Sequence, residues 1–137
     1  MNKETARFNM VEQQIRTWEV LDPNVLDACE SVQRECFVPA AFEDLAFSDI
    51  EIELSCSQKM ITPKICARAA QALGVKKTDH ILEIGTGSGY MSALLSSLGS
   101  TVTSFEINET LADTARQNLQ RANIQNCTVN NSDGLQA

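Results

Sequence analysis

At 137 residues the chain is long enough to bury a sizeable core but short for a complete doubly wound α/β enzyme, and it is read as one domain or less. Eighteen acidic residues against eleven basic ones give a formal charge of -7, with Lys and Arg scattered, which excludes a nucleic-acid footprint. No apolar stretch is long enough to span a bilayer, and the polar segment 1–7 has no signal-like apolar run, so a cytoplasmic protein without a membrane partner is expected.

The five cysteines, Cys29, Cys36, Cys56, Cys66 and Cys127, contain no C-x-x-C pair, and His80 is the single histidine. Metal and disulfide readings both fail on that pattern, and buried free thiols are expected. A catalytic cysteine would need a neighbouring base to form its thiolate.

Taken in order, Phe8, Val11, Ile15 and Trp18 recur at intervals of three and four, which predicts a helix over 6–18 with those residues on its buried face. Asp22-Pro23 supplies an N-cap and a first-turn proline for a second helix carrying Val25, Leu26, Cys29 and Val32. The stretch Arg34 to Pro39 is expected to end that helix, with a partly helical connection over 40–47. Ile50, Ile52 and Leu54 alternate with polar residues and predict a short strand. Thr62 is placed to cap, and Pro63 to open, a third helix with Ile65, Ala69, Ala72 and Leu73 as its apolar stripe and Gly74 as its stop.

From Thr78 onward strands alternate with helices, which argues a parallel sheet built from β-α-β units. Strands are predicted over 80–84, 101–106 and 127–131, and helices over 90–98 and from Asn108, a cap, through Leu111, Ala115, Leu119 and Ala122. His80 reads as an ordinary polar residue at a strand edge. The division expected is an N-terminal helical and short-strand segment, 1–77, and half of a cofactor domain, 78–137.

The first of these strands ends in Gly85-Thr86-Gly87-Ser88-Gly89-Tyr90, alternating glycines that let backbone approach a ligand closely. A dinucleotide fingerprint, and with it a nicotinamide-dependent oxidoreductase, would want glycine where Tyr90 stands. The run from Glu83 to Gly89 instead resembles the first motif of Rossmann-like S-adenosylmethionine methyltransferases. Glu106 ends the second strand, where a carboxylate can accept hydrogen bonds from two ribose hydroxyls. Glu83 is read as facing the ligand or as a structural carboxylate beside the glycine turn.

Together Met10 to Ile15, the run Val32-Gln33-Arg34-Glu35-Cys36-Phe37-Val38-Pro39, Gln58 with Pro63, and the glycine motif resemble the protein-L-isoaspartate (D-aspartate) O-methyltransferases over nearly the whole chain. The resemblance implies a Rossmann-like methyltransferase fold, S-adenosyl-L-methionine as cofactor, isoaspartyl-containing protein or peptide as substrate, and carboxyl methylation that starts protein repair. It implies a cofactor set of Glu83, Gly85, Thr86, Gly87, Ser88, Gly89, Glu106, Ile107, Asp133 and Gly134, with Asp133 toward the adenine amino group. The usual family segment G-Q-T-I-S-Q-P puts its active-site serine on Ile61, so Thr62 is the catalytic candidate, Lys59 could attract a carboxylate, and a non-catalytic cofactor-binding or interaction module stays open as the alternative. The expected sheet is an incomplete parallel one of order 3-2-1, a fragment whose open edge predicts association into a homodimer.

Overall fold

The structure, a computed structural model, describes residues 2–136; Met1 and Ala137, the outermost residues of the two expected segments, lie outside the described residues. The N-terminal part comprises α1 (Lys3–Met10), α2 (Pro23–Ser31), a two-residue antiparallel ladder of β1 (Ile52–Glu53) with β2 (Lys59–Met60), and α3 (Pro63–Leu73). The sheet part comprises β3 (His80–Ile84), α4 (Tyr90–Leu98), β4 (Thr101–Glu106), α5 (Glu109–Arg121) and β5 (Cys127–Asn131). All three strands are parallel, in the order β3-β4-β5, with His80 opposite Thr101 and Val102 opposite Cys127. Strand bounds and the two intervening helices match the expectation from periodicity, and the strand order matches the one the family resemblance implies.

Period two then sorts β4 by face. Val102, Ser104 and Glu106 point to the side that α4 and α5 cover and are buried, whereas Thr101, Thr103 and Phe105 alternate with them on the other side. That other side, and the outer edge of β3, are uncovered among the described residues: Leu82 is 60% and Ile84 51% exposed. One apolar core runs through both parts of the chain, from Met10, Val11, Ile15 and Phe37 to Tyr90, Leu94, Ala112 and Leu119. No helix among the described residues is long and apolar enough to cross a membrane.

The N-terminal part departs from simple periodicity in four places. After α1 the chain passes through a wide π-turn at Val11–Ile15 and a 3-10 turn at Arg16–Trp18, so the buried residues are Met10, Val11 and Ile15 while Phe8 and Trp18 are exposed. A wide turn shifts the helical phase, which is why the expected face does not hold. The second helix stops at Ser31, before the run expected to end it; Arg34–Phe37 forms a separate 3-10 turn. The strand expected from Ile50 to Leu54 shrinks to Ile52–Glu53, with Ile52 buried and Ile50 exposed.

In α3 the expected stripe is the wrong face. Ile65, Ala69, Ala72 and Leu73 lie outward, and Pro63, Cys66, Ala67 and Ala70 are buried. Small side chains let α3 approach α2 and α4 closely, and that closeness outweighs the larger apolar area of the Ile65 face. Of the thiols, all free, Cys29 and Cys66 are buried, but Cys56 is exposed, against expectation, on a turn where its φ is +61°.

Asn108 caps α5 by accepting from Leu111 N at 3.1 Å. Replacing it with alanine leaves that amide unpaired, so Asn108→Ala is expected to cost about 1 kcal/mol. Urea titration should show a lower midpoint at unchanged slope.

Candidate functional site

The glycine loop leaves β3 at its C-terminal end, with φ of +93° at Gly85, +58° at Gly87 and +91° at Gly89. Gly85 N donates to Phe105 O at 2.8 Å, which fastens the start of the loop to β4. A Cβ at Gly85 would meet nothing within 4 Å, so the backbone there faces open space, as a surface for close ligand approach requires. On the opposite rim, Gly134 follows β5 and is seated on the sheet: a Cβ there would stand 3.0 Å from both Ile84 Cγ1 and Phe105 Cβ. That contact draws the segment after β5 over the strand ends.

Glu106, at the end of β4, is only 7% exposed. Its Oε1 accepts from Gly87 N at 2.9 Å and its Oε2 from Asn108 N at 3.1 Å. The carboxylate therefore ties the loop to the chain turn leading into α5, and each oxygen keeps acceptor capacity for a further donor. Asn131 of β5 steadies the same corner by donating to Glu106 O at 3.0 Å and Ile107 O at 3.2 Å. Ile107 itself is 73% exposed, an apolar side chain presented beside the carboxylate. Asp133 closes a local turn, its Oδ1 accepting from Leu135 N at 3.0 Å.

Glu83 faces the covered side. Its Oε1 accepts from Ser92 Oγ of α4 and, at 2.7 Å, from Ser104 Oγ of β4. Since the Ser104 proton is committed to Glu83, the 2.5 Å contact between Thr86 and Ser104 has Thr86 Oγ1 as donor. The loop hydroxyl is thus linked through Ser104 to Glu83, and Ser88 Oγ accepts from Tyr90 N at 3.3 Å. Of the two readings of Glu83 the structural one describes these contacts. Ser92 and Ser104 were not among the expected site residues. The signal for Ser104 was register: it lies between Val102 and Glu106 on the inward phase of β4, a polar side chain where an apolar one belongs.

The acceptor candidates stand apart from this network. Thr62 occupies the N-cap position of α3, and Thr62 O accepts from Cys66 N at 3.2 Å. Its hydroxyl does not cap: Oγ1 is buried without a hydrogen-bond partner among the described residues. The expected capping by the side chain is corrected: the Thr62 carbonyl makes only the ordinary first helical bond, and its hydroxyl is turned inward and caps no first-turn amide. Ile61 is 40% exposed, and Gln58 and Lys59 are exposed. His80 Nδ1 lies 2.7 Å from Thr101 Oγ1 at the sheet edge, as an ordinary polar residue.

A more deeply placed group is Arg34, fully buried with no ion-pair partner among the described residues. Its Nε donates to Ala46 O at 2.7 Å and its Nη2 to Ile61 O at 3.1 Å, and the guanidinium lies 4.5 Å from the centroid of the Tyr90 ring. Phe37 meets the same ring edge-on at 5.8 Å. Tyr90, the residue that departs from the dinucleotide fingerprint, is therefore a core element that pins the start of α4. Burial pushes the nearby thiols up, Cys29 to about 12 and Cys66 to about 11, so neither offers a thiolate nucleophile near neutral pH.

At the level of fold, the solved structure of a Plasmodium falciparum protein described as a β-aspartate methyltransferase, in complex with S-adenosyl-L-homocysteine, superposes with a TM-score of 0.76 at 16% identity, covering 96% of this chain and 63% of that one. A Rossmann-like methyltransferase fold is the class this architecture defines. Sequence narrows the class further. The family model for protein-L-isoaspartate(D-aspartate) O-methyltransferase matches residues 5–137, and the chain belongs to that family. The protein-L-isoaspartate O-methyltransferase of Methanospirillum hungatei is 42% identical over 132 residues, 96% of this chain and 61% of the relative. That of Rhodopseudomonas palustris is 41% identical over 125 residues, 91% of this chain and 57% of the relative. The chain thus spans about three fifths of the length of the curated relatives it matches.

Burial raises the Glu83 carboxyl above the usual glutamate range; the Ser92 and Ser104 hydroxyls oppose that shift, and the Glu106 charge adds to it. The folded state then holds a proton to higher pH than the unfolded one. Stability from this group falls as pH rises from about 4 to the raised value. Glu83→Gln keeps an oxygen for both serines and removes the charge. Its unfolding free energy should gain on the wild type as pH climbs through that window; parallel profiles would refute the assignment.

Proposed function

We propose that the chain carries the donor half and the first part of the acceptor half of an S-adenosyl-L-methionine-dependent carboxyl methyltransferase acting on isoaspartyl residues of damaged proteins. The observation that carries the reading is the family match over 5–137 combined with open backbone at Gly85 beside the Glu106 carboxylate. Bound S-adenosyl-L-homocysteine in the Plasmodium neighbour supports the cofactor class.

The residues present fit such a cofactor. Glu106 would take the ribose hydroxyls on its remaining lone pairs, Ile107 would lie against the adenine, and Asp133 would accept from its amino group. Gly85, Thr86, Gly87, Ser88 and Gly89 would border the methionine portion, and Gly134 keeps the opposite rim close to the sheet. Glu83 serves this set indirectly, by holding Ser104 and through it Thr86. The cofactor supplies a methyl on a positively charged sulfur, and transfer forms the O–CH3 bond as the CH3–S bond breaks with its electron pair left on sulfur, so no proton moves. The protein then needs alignment more than a general base. Thr62 is the nearest hydroxyl in sequence to the family's serine position and would orient the carboxylate once its side chain turns outward, with Lys59 adding attraction. The segment 2–77 would present the acceptor side and 78–136 the donor side, in a protein working in the cytoplasm.

A non-catalytic cofactor-binding module is the second reading, favoured by Ile61 at the serine position and by the buried Thr62 hydroxyl. Calorimetric titration should show binding of S-adenosyl-L-methionine and its demethylated product but not of NAD; NAD alone binding would overturn the cofactor assignment. Labelled methyl transfer to an isoaspartyl peptide separates the two readings. Ile61→Ser should raise that transfer about tenfold, the scale of one hydrogen bond to a charged group; binding without transfer in both forms would favour the module.

The free edge of β3 with exposed Leu82 and Ile84 supports a homodimer as the associated form. Sedimentation at high concentration should give the dimer mass. Leu82→Lys should return it to monomer, and a wild type that stays monomeric would end this proposal.

A further inference from the structure

The run Arg34-Glu35-Cys36-Phe37 is one 3-10 turn that reaches several elements, with Arg34 and Phe37 converging on Tyr90. Glu35 accepts from Arg7 Nη2 of α1 at 2.8 Å and 3.1 Å on its two oxygens. Cys36 O accepts from Arg121 Nη2 of α5 at 2.7 Å. Phe37 packs on Tyr90, and Arg34 reaches Ala46 O, Ile61 O and the Tyr90 ring together. Among the described residues no ion pair accounts for the buried Arg34 charge, and anchoring α1 and α5 is already done by Glu35 and Cys36. What Arg34 adds is a link between two parts of the site. Tyr90 is the residue after Gly89 and opens α4, and Ile61 stands at the acceptor segment beside Thr62.

We propose that Arg34 is a positioning residue for methyl transfer: stacked on Tyr90 and hydrogen-bonded to the Ile61 carbonyl, it sets the separation between the acceptor segment and the glycine loop. This rests on the methyltransferase reading above. In-line displacement tolerates little error in that separation, since a misplacement of about 1 Å can cost about 100-fold in rate. A guanidinium suits the task because its planar fork donates in two directions while its face lies on a ring. An ammonium has neither the plane nor the second fixed direction.

Arg34→Met, which fills similar volume without donors, and Arg34→Lys, which keeps the charge, are compared with the wild-type chain. Three readouts are used: binding of S-adenosyl-L-homocysteine, steady-state transfer to an isoaspartyl peptide, and backbone hydrogen exchange. Expected are product affinity within about threefold of wild type, kcat lower by about 100-fold with both variants, and a much smaller change in KM. The amides of 60–62 should exchange at least about tenfold faster while those of β4 keep their protection. A folded variant with kcat within about twofold of wild type overturns the proposal, and so does protection lost equally throughout, which marks a purely structural role. If the Met variant does not fold, the Lys variant decides by the same criteria. If the wild-type chain transfers no methyl, the methyltransferase reading fails on its own. The exchange readout then stands alone, and unchanged protection at 60–62 in either folded variant overturns the positioning role.

Discussion

Arg34 is buried with no ion-pair partner among the described residues, which costs several kcal/mol in desolvation, and the N-terminal part of this chain is arranged around reducing that cost. Arg34 offsets part of it with two carbonyls from segments 12 and 27 residues away and with the face of Tyr90, while its Nη1 finds no hydrogen-bond partner among the described residues. Three residues per turn bring Arg34 and Phe37 to the same side of their 3-10 turn, so both bear on one ring. Glu35 and the Cys36 carbonyl then point elsewhere, to Arg7 and Arg121. A segment with little regular secondary structure can pack against the sheet part because this one turn distributes its hydrogen bonds to α1, α5 and the stretch before α3.

The glycine loop is held by a different device, acceptors built into the strands that flank it. Glu83 on β3 and Glu106 on β4 both face the covered side of the sheet, one bonded to hydroxyls and one to backbone amides. Thr86 and Gly87 of the loop are each tied to one of these carboxylates, the first through Ser104 and the second directly. Rigidity of this kind keeps open backbone at Gly85 from collapsing onto the sheet, and it lowers the ordering cost of any ligand lying there. The same two carboxylates are close enough for the Glu106 charge to raise the Glu83 carboxyl, so the loop's support carries an electrostatic penalty of its own.

Much of the sheet part was legible in order along the chain. β3, α4, β4, α5 and β5 each carry a full local signal: a period of two or 3.6, a cap such as Asn108, or glycines at the turn. Glu106 could be placed at the end of its strand because a strand's C-terminal end is a fixed place in a parallel sheet. The N-terminal part was less legible. Phe8 and Trp18 were misread because a π-turn changes phase without altering composition, and Ile65 was misread because helix packing favoured the small face of Cys66, Ala67 and Ala70. Arg34 was missed since its partners Ala46, Ile61 and Tyr90 are distant in sequence, and Ser92 since only the folded turn brings its helix face onto Glu83 nine residues before it.

Local pattern was therefore enough for a parallel α/β arrangement and the position of the loop, because each rests on neighbours within a few residues, whereas the strand order came with the family resemblance. It was also enough for the family, through motifs that could be set beside one another without knowing where they meet. Which face of α3 turns inward, that Thr62 hides its hydroxyl without capping, and that Arg34 joins the acceptor segment to the helix after the loop all came from packing. Those outcomes depend on which surfaces approach closely enough to exclude water, and sequence separation says nothing about that.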